Sequence, residues 1–213
     1  MILKPSKKKF KMKLASLFSG GKDSTYALYL AKKFNHKISC LITLDSKNPD
    51  SYMFHTPVYQ VDSIAEKLHL PLIKVSTTGE KEKELIDLKK AMELAIKKYK
   101  IQGVVTGAVA STYQASRIQK ICSELNIYCF NPLWQLSPIE LWSELIKNKF
   151  KVKIVKVAAD GLDNSWINKI IDETSLLKLI ELSRKYKFNP AFEGGEAETE
   201  VVDCPLFKND SRN

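Results

Sequence analysis

Leu17-Phe18-Ser19-Gly20-Gly21-Lys22-Asp23-Ser24-Thr25 is a small-residue turn set between an apolar run and an amphipathic one. Ahead of it, Lys13 to Phe18 carries Leu14, Ala15, Leu17 and Phe18 and is short and apolar enough for a buried strand. Behind it, Ser24 to Lys33 places Ala27, Leu28, Leu30 and Ala31 at helical spacing. Strand, glycine turn and helix in direct succession read as a phosphate cradle. Gly20 and Gly21 let the backbone take positive φ and approach an anion closely, while the helix N-terminus supplies unpaired N–H groups and positive dipole. Ser19 and Ser24 add hydroxyl donors. A Walker-type loop is excluded, because it needs a longer glycine span and a hydroxyl directly after its lysine, whereas Asp23 follows Lys22. Lys22 stays open between a phosphate contact and a solvated side chain.

Outward from this turn the chain alternates strands and helices. Lys37 to Leu44 is a second apolar strand, and the polar run Asp45 to Asp50 at its carboxyl end lies where an open α/β sheet receives ligands. Asp45 reads equally as a ribose or metal contact and as a turn former. The following Ser51-Tyr52-Met53-Phe54-His55-Thr56-Pro57 has no period and is long for a structureless connection, and its aromatic content argues against disorder. His55 reads either as a substrate-positioning group or as a side chain packed under its own loop.

Asp62 or Ser63 is expected to cap a helix through Leu68, with a strand from Leu70 to Val75 and a long helix from Glu80 to Lys100 after it. Leu85, Leu88, Met92 and Ala95 form one face of that long helix. Ile101 to Gly107 is the next strand, and its end, Thr106-Gly107-Ala108, points at the same edge as the glycine turn. Ser111 to Arg117 opens a helix whose early turns place Arg117 within reach of a phosphate, with a surface role as the alternative. Tyr128-Cys129-Phe130 is a fifth strand, and the repeat predicts a doubly wound, parallel α/β sheet.

Asn131-Pro132-Leu133-Trp134 reads as an exit from that sheet, and Ser137-Pro138-Ile139-Glu140 supplies the cap, N1 proline and N3 glutamate of a new helix through Ile146. The expected division is a basic extension at 1–11, a nucleotide-binding domain at 12–131 and a smaller C-terminal α/β domain at 132–213. The last part is predicted to hold a strand from Phe150 to Ala158, a helix from Ser175 to Tyr186 and a strand near Thr199 to Val202. Between these, Glu193, Glu196 and Glu198 surround Gly194-Gly195, a local inversion in a chain of net charge +10. A solvated loop is one reading; the favoured one has the glycines aim the acids at a Mg²⁺ ion, a cationic substrate group or an attacking amine.

Composition bounds the rest. With 213 residues, 44% hydrophobic and 27% charged, the chain is globular, and no apolar run approaches the ~20 residues of a membrane helix. Residues 1–11 are basic without the apolar stretch of a signal peptide, which predicts a cytoplasmic protein. Cys40, Cys122, Cys129 and Cys204 are scattered and read as reduced structural thiols. The lysines fall mostly in helix-face runs such as Lys81-Glu82-Lys83-Glu84, solvated faces rather than a nucleic-acid surface.

The pattern Ser-Gly-Gly-x-Asp-Ser at Ser19 to Ser24 resembles the PP-loop of the N-type ATP pyrophosphatases. Further stretches carry a more specific likeness: Tyr52-Met53-Phe54-His55, Thr77-Thr78-Gly79-Glu80-Lys81-Glu82, Gly107 to Gln114 with Arg117, Pro132-Leu133-Trp134, Gly161-Leu162-Asp163 and Glu193-Gly194-Gly195-Glu196. In this order and spacing they resemble the diphthine–ammonia ligase family over residues 12 to about 207, with Phe192, Ala197 and Cys204 departing from its pattern. The resemblance implies a Rossmann-like PP-loop fold and an amide-forming ligase. Its substrates would be ATP, ammonium and diphthine, a modified histidine on translation elongation factor 2; its products would be diphthamide, AMP and pyrophosphate.

The same resemblance implies that Ser19, Gly20, Gly21, Lys22, Asp23, Ser24, Thr43, Gly107 and Ser111 serve ATP, with Asp23 on Mg²⁺. It assigns Asp23, Arg117, Glu193 and Glu196 to catalysis, and Tyr52, His55, Tyr113, Glu193, Glu196 and Glu198 to the substrate. No evident Cys–His pair offers a glutaminase centre, so free ammonium is the expected nitrogen donor. Two alternatives stand beside it. A PP-loop tRNA-modifying enzyme adenylating a base carbonyl suits the basic charge but not the unpaired cysteines, and an adenine-nucleotide-binding module would bind without releasing pyrophosphate.

Overall fold

The structure, a computed structural model, describes residues 11–46 and 58–207. Strands β1 (Lys13–Leu17), β2 (Lys37–Ser46), β3 (Leu72–Thr77), β4 (Gly103–Val105) and β5 (Tyr128–Phe130) form one parallel sheet in the order β3-β2-β1-β4-β5. The chain winds one way from β1 to β3, then crosses back to lay β4 on the other side of β1. That reversal opens a crevice at the carboxyl ends of β1 and β4, where α/β sheets bind ligands.

Strand β1 is apolar because both its faces are covered. Leu14 packs with helix α1 (Lys22–Lys33) and helix α2 (Val58–Lys67), while Ala15 and Leu17 pack with helices α3 (Lys83–Tyr99) and α4 (Thr112–Glu124). After β5, helix α5 (Pro138–Lys147), strand β6 (Lys151–Val157), helix α6 (Glu173–Tyr186) and strand β7 (Ala197–Asp203) follow, with β6 and β7 forming an antiparallel pair. Their apolar residues Leu141, Trp142, Val152, Ile154, Leu179 and Val201 join the core of the α1 face without a break.

Several boundaries differ from the sequence expectation. Asp62 and Ser63 lie inside α2 instead of capping it, because the buried repeat Val61, Ile64, Ala65, Leu68 continues a helix that begins one turn earlier. Strand β2 runs on through Asp45 and Ser46, which pair with Ser76 and Thr77, so Asp45 belongs to a strand and not to a turn. Helix α3 starts at Lys83 and not Glu80, since Glu82 stands at φ +67, outside helical geometry. Strand β4 is cut to three residues, leaving Thr106 and Gly107 in the loop at the crevice. Strand β7 begins at Ala197, which draws Glu198 into a ladder.

Candidate active site

The glycine turn closes on itself through its hydroxyls. The Ser19 and Ser24 Oγ atoms lie 3.1 Å apart, the Ser19 N–H donates to Ser24 Oγ at 3.3 Å, and the Gly21 N–H donates to Ser19 Oγ at 3.4 Å. Thr25 Oγ1 donates to the Gly21 carbonyl at 2.8 Å and fixes the start of α1 from within. Gly20 takes φ +81, the left-handed geometry that the sequence expects of a glycine here, and Gly21 is the N-cap of α1, a residue with no side chain of its own to cap the first turn. A twelve-residue helix thus begins at the crevice, with one of its first amides, the Lys22 N–H, already taken by Thr199 Oγ1 at 3.3 Å.

The loop after β4 forms the facing wall. A Cβ on Gly107 would come 2.7 Å from the Asp23 carbonyl carbon and from the Ser24 nitrogen, so only glycine lets this loop touch the first turn of α1. Gln135 N–H donates to the Val109 carbonyl at 2.7 Å and supports the loop from behind. Thr43 is buried in β2, next to Ile42, whose carbonyl receives the Phe18 N–H at 2.8 Å. Ser111 caps α4, its Oγ accepting from the Gln114 N–H at 3.3 Å.

The acid segment reaches the crevice through one of its three carboxylates. Glu193 Oε2 accepts from the Ala110 N–H at 3.0 Å. Burial first, and then the charge of Asp23, push its carboxyl above the usual range. Glu196 folds back on its own loop, accepting from Gly194 N–H at 2.7 Å and Asn189 N–H at 3.1 Å. Glu198 pairs across the ladder with Lys156 at 3.0 Å. The glycine pair therefore does not aim all three acids at one point.

Lys22 is not the solvated side chain of one of the two readings left open by the sequence. It is 2% exposed, with Nζ 2.8 Å from Asp23 Oδ2 and 5.8 Å from the ring centres of both Trp142 and Phe192. Arg117 donates to Glu82 Oε1 through Nε at 3.2 Å and a terminal nitrogen at 3.0 Å, and lies 4.4 Å over the Tyr113 ring. Lys81 covers the same ring at 4.8 Å. Hydrogen bonds from Tyr113 and Arg117 hold the Glu82 carboxyl below its ordinary range. Arg117 and Tyr113 thus gather with the β3–α3 loop, and no hydrogen bond or ion pair among the described residues joins Arg117 to residues 19–24. Tyr52 and His55 lie outside the described residues.

Residues 12–128 match the family described as Diphthamide synthase N-terminal domain, and residues 137–211 match Diphthamide synthase C-terminal domain. The chain belongs to the diphthine–ammonia ligase family. It is 36% identical to the diphthine–ammonia ligase of Homo sapiens over 92% of this chain and 81% of that one. With the Danio rerio diphthine–ammonia ligase it shares 34% identity over 92% of this chain and 84% of the relative. Among solved structures it resembles a predicted subunit of tRNA methyltransferase from Methanocaldococcus jannaschii at TM-score 0.47 and 16% identity, covering 91% of this chain and 98% of that one.

For a member of this ligase family the donor set around Asp23 bears on Mg²⁺. Asp23 Oδ1 is buried with no hydrogen-bond partner, and Glu193 lies near enough for the charge of Asp23 to act on its carboxyl. Mg²⁺ is commonly held by one or two carboxylates together with substrate phosphates, and that pair fits. No group of three or more His, Cys, Asp or Glu among the described residues is arranged to hold a metal by itself. No helix is long and apolar enough to cross a membrane.

Sequence reasoning missed Trp142, Phe192 and Thr199, whose Oγ1 accepts the Lys22 N–H at 3.3 Å. Trp142 sits in the apolar stripe Leu141, Trp142, Leu145 of α5 and carries no local mark of its contact with Lys22. Thr199, by contrast, stands in the strand expected near residue 199, and its alternation is the signal that would have pointed it inward.

Proposed function

We propose that this ligase converts the carboxylate of diphthine on translation elongation factor 2 into an amide, using ammonium and ATP and releasing AMP and pyrophosphate. The observation that carries the reading is the N-terminus of α1 behind Ser19-Gly20-Gly21, packed against the Gly107 loop at the sheet reversal, with Glu193 held on that loop by the Ala110 N–H. Residues 12–131 would hold the nucleotide and residues 132–213 would present the protein substrate, with both in the cytoplasm.

The chemistry follows from the substrate. A carboxylate resists nucleophiles because it is negatively charged and oxide is a poor leaving group. Its oxygen attacks the α-phosphorus of ATP, the bond to the bridging oxygen breaks, and pyrophosphate departs with that electron pair. Ser19, Gly20, Gly21 and Ser24 receive the departing charge through amides and hydroxyls already oriented by the turn. Ammonium gives up a proton to water, the nitrogen of the resulting ammonia attacks the acyl carbon of the adenylate, AMP leaves with the electron pair of the acyl–oxygen bond, and the new amide loses its extra proton to water. Glu193, held by the Ala110 N–H, is the carboxylate of the acid segment placed to draw the trimethylammonium of diphthine or the incoming ammonium to the crevice. Mg²⁺, held by Asp23 and Glu193, would offset charge on the phosphate oxygens.

Product analysis tests this reading. With ATP, Mg²⁺, ammonium and elongation factor 2 bearing diphthine, AMP and pyrophosphate form in equal amounts, and Asp23→Ala abolishes their release while circular dichroism stays native. ADP and phosphate as products would contradict it.

A further inference from the structure

We propose that Lys22 is a positioning residue: clamped between Trp142, Phe192 and Asp23, it fixes the Asp23 carboxylate for the reaction and does not itself bind phosphate. The assignment rests on residues 19–24 being the nucleotide site.

Four observations carry it. The Lys22 ammonium is withdrawn from solvent and already paired with Asp23 Oδ2 at 2.8 Å, so its charge is largely cancelled where phosphates would approach. Both rings that hold it are themselves fixed. Trp142 Nε1 donates to the Pro190 carbonyl at 2.7 Å, and Phe192, at φ +63, is held by its N–H to the Asn189 carbonyl at 2.9 Å. The rings meet edge to face at 5.9 Å, and each lies within cation–π range of Nζ. Finally, with Oδ2 occupied by Lys22, the oxygen of Asp23 left without a partner is the buried Oδ1.

A swing of Lys22 toward phosphate would break all of these contacts together. It would also leave the partly buried Asp23 carboxylate without its cation. The lysine is therefore more useful where it stands. It ties α5 and the 189–196 loop to the carboxylate at the mouth of the cradle, so the C-terminal part of the chain sets the geometry of the phosphate end.

The full-length protein tests this through Lys22→Met, Asp23→Asn and their combination, with steady-state AMP formation and calorimetric binding of ATP in EDTA. Lys22→Met lowers kcat by about a hundredfold, as expected for a misplaced reactive group. The KM for ATP and the metal-free ATP affinity stay within about threefold of the wild type, the mark of an interaction not used in ground-state binding. In the Asp23→Asn background Lys22→Met has no further effect on kcat, because the two residues act as one unit. Phe192→Leu, which leaves the lysine and the glycine turn in place, lowers kcat in the same direction with KM unchanged, and carries the test if Lys22→Met does not fold. A loss of about tenfold or more in metal-free ATP affinity, additivity with Asp23→Asn, or an unchanged kcat in both Lys22→Met and Phe192→Leu overturns the proposal. Failure of the wild-type protein to bind ATP at all would instead overturn the nucleotide site on which it rests.

Discussion

Two glycines at the crevice have different reasons for being glycine, and substitution separates them. Gly107→Ala drives a Cβ into backbone atoms of Asp23 and Ser24 at 2.7 Å, which neither a rotamer change nor a flexible tip can relieve. It destabilises by about 1–3 kcal/mol, a drop of roughly 2–4 °C in Tm for each kcal/mol. Gly21→Ala meets nothing nearer than Ser19 Oγ at 3.5 Å and keeps an ordinary φ of −73, so Tm falls by much less while ATP binding is lost to the methyl group in the path of the phosphate. Thermal melts and ATP titrations of the two variants read the contrast. The acids divide in the same way. Glu196→Ala removes a carboxylate that accepts two backbone N–H bonds and costs about 1.5–3 kcal/mol, whereas Glu198→Ala loses a surface pair with Lys156 and leaves Tm unchanged within a degree or so.

Among the elements, α1 is held from both ends. Its N-terminus meets Thr199, and its later turns carry Tyr26 and Tyr29 into a polar knot with α5. Tyr26 OH donates to Glu144 Oε2 at 3.2 Å, Tyr29 OH donates to Asn148 Oδ1 at 3.0 Å, and Phe150 packs edge-on against both rings. Lys147 first, with Tyr26 and Asn148 also contributing, holds the Glu144 carboxyl below its ordinary range against the opposing effect of burial. A carboxyl depressed in the folded state stabilises above its unfolded pKa, and that contribution is lost as pH falls through the folded value. The wild-type Tm therefore falls more steeply on acidification below about pH 4.5 than the Tm of Glu144→Gln, which has no proton to take up. Parallel slopes would detach Glu144 from the knot. This network was not legible in the sequence, since Tyr26 and Glu144 lie 118 residues apart and neither breaks a local pattern. The repeat of strands and helices was legible because buried faces impose their period on it, as with Ala27, Leu28 and Ala31 of α1. Their ends were less so. Pairing with β3 carried β2 past Leu44 into polar Asp45 and Ser46, a decision made by a neighbouring strand and not by local composition.

At the scale of the whole molecule, the sheet reversal and the continuous core explain why a short motif near the N-terminus depends on residues near the other end. The core of the α1 face extends from Leu14 through Trp142 to Val201, so the 189–196 loop is carried to the glycine turn by the same packing that folds the chain. The glycine turn from Ser19 to Ser24 could be read from sequence because its small residues are contiguous, and Gly20 takes the positive φ expected of it. The Lys22–Trp142–Phe192 clamp could not, because its parts become neighbours only when the two ends of the chain pack together. The central claim is that this cradle activates a protein carboxylate for attack by free ammonia. It is tested by giving the purified protein ATP, Mg²⁺, heavy-nitrogen ammonium and diphthine-bearing elongation factor 2, then measuring the mass of the modified histidine. The account predicts conversion of acid to amide with the heavy nitrogen incorporated, one AMP for each amide. ATP turnover that leaves the diphthine mass unchanged, or an amide whose nitrogen comes from added glutamine instead, would contradict it.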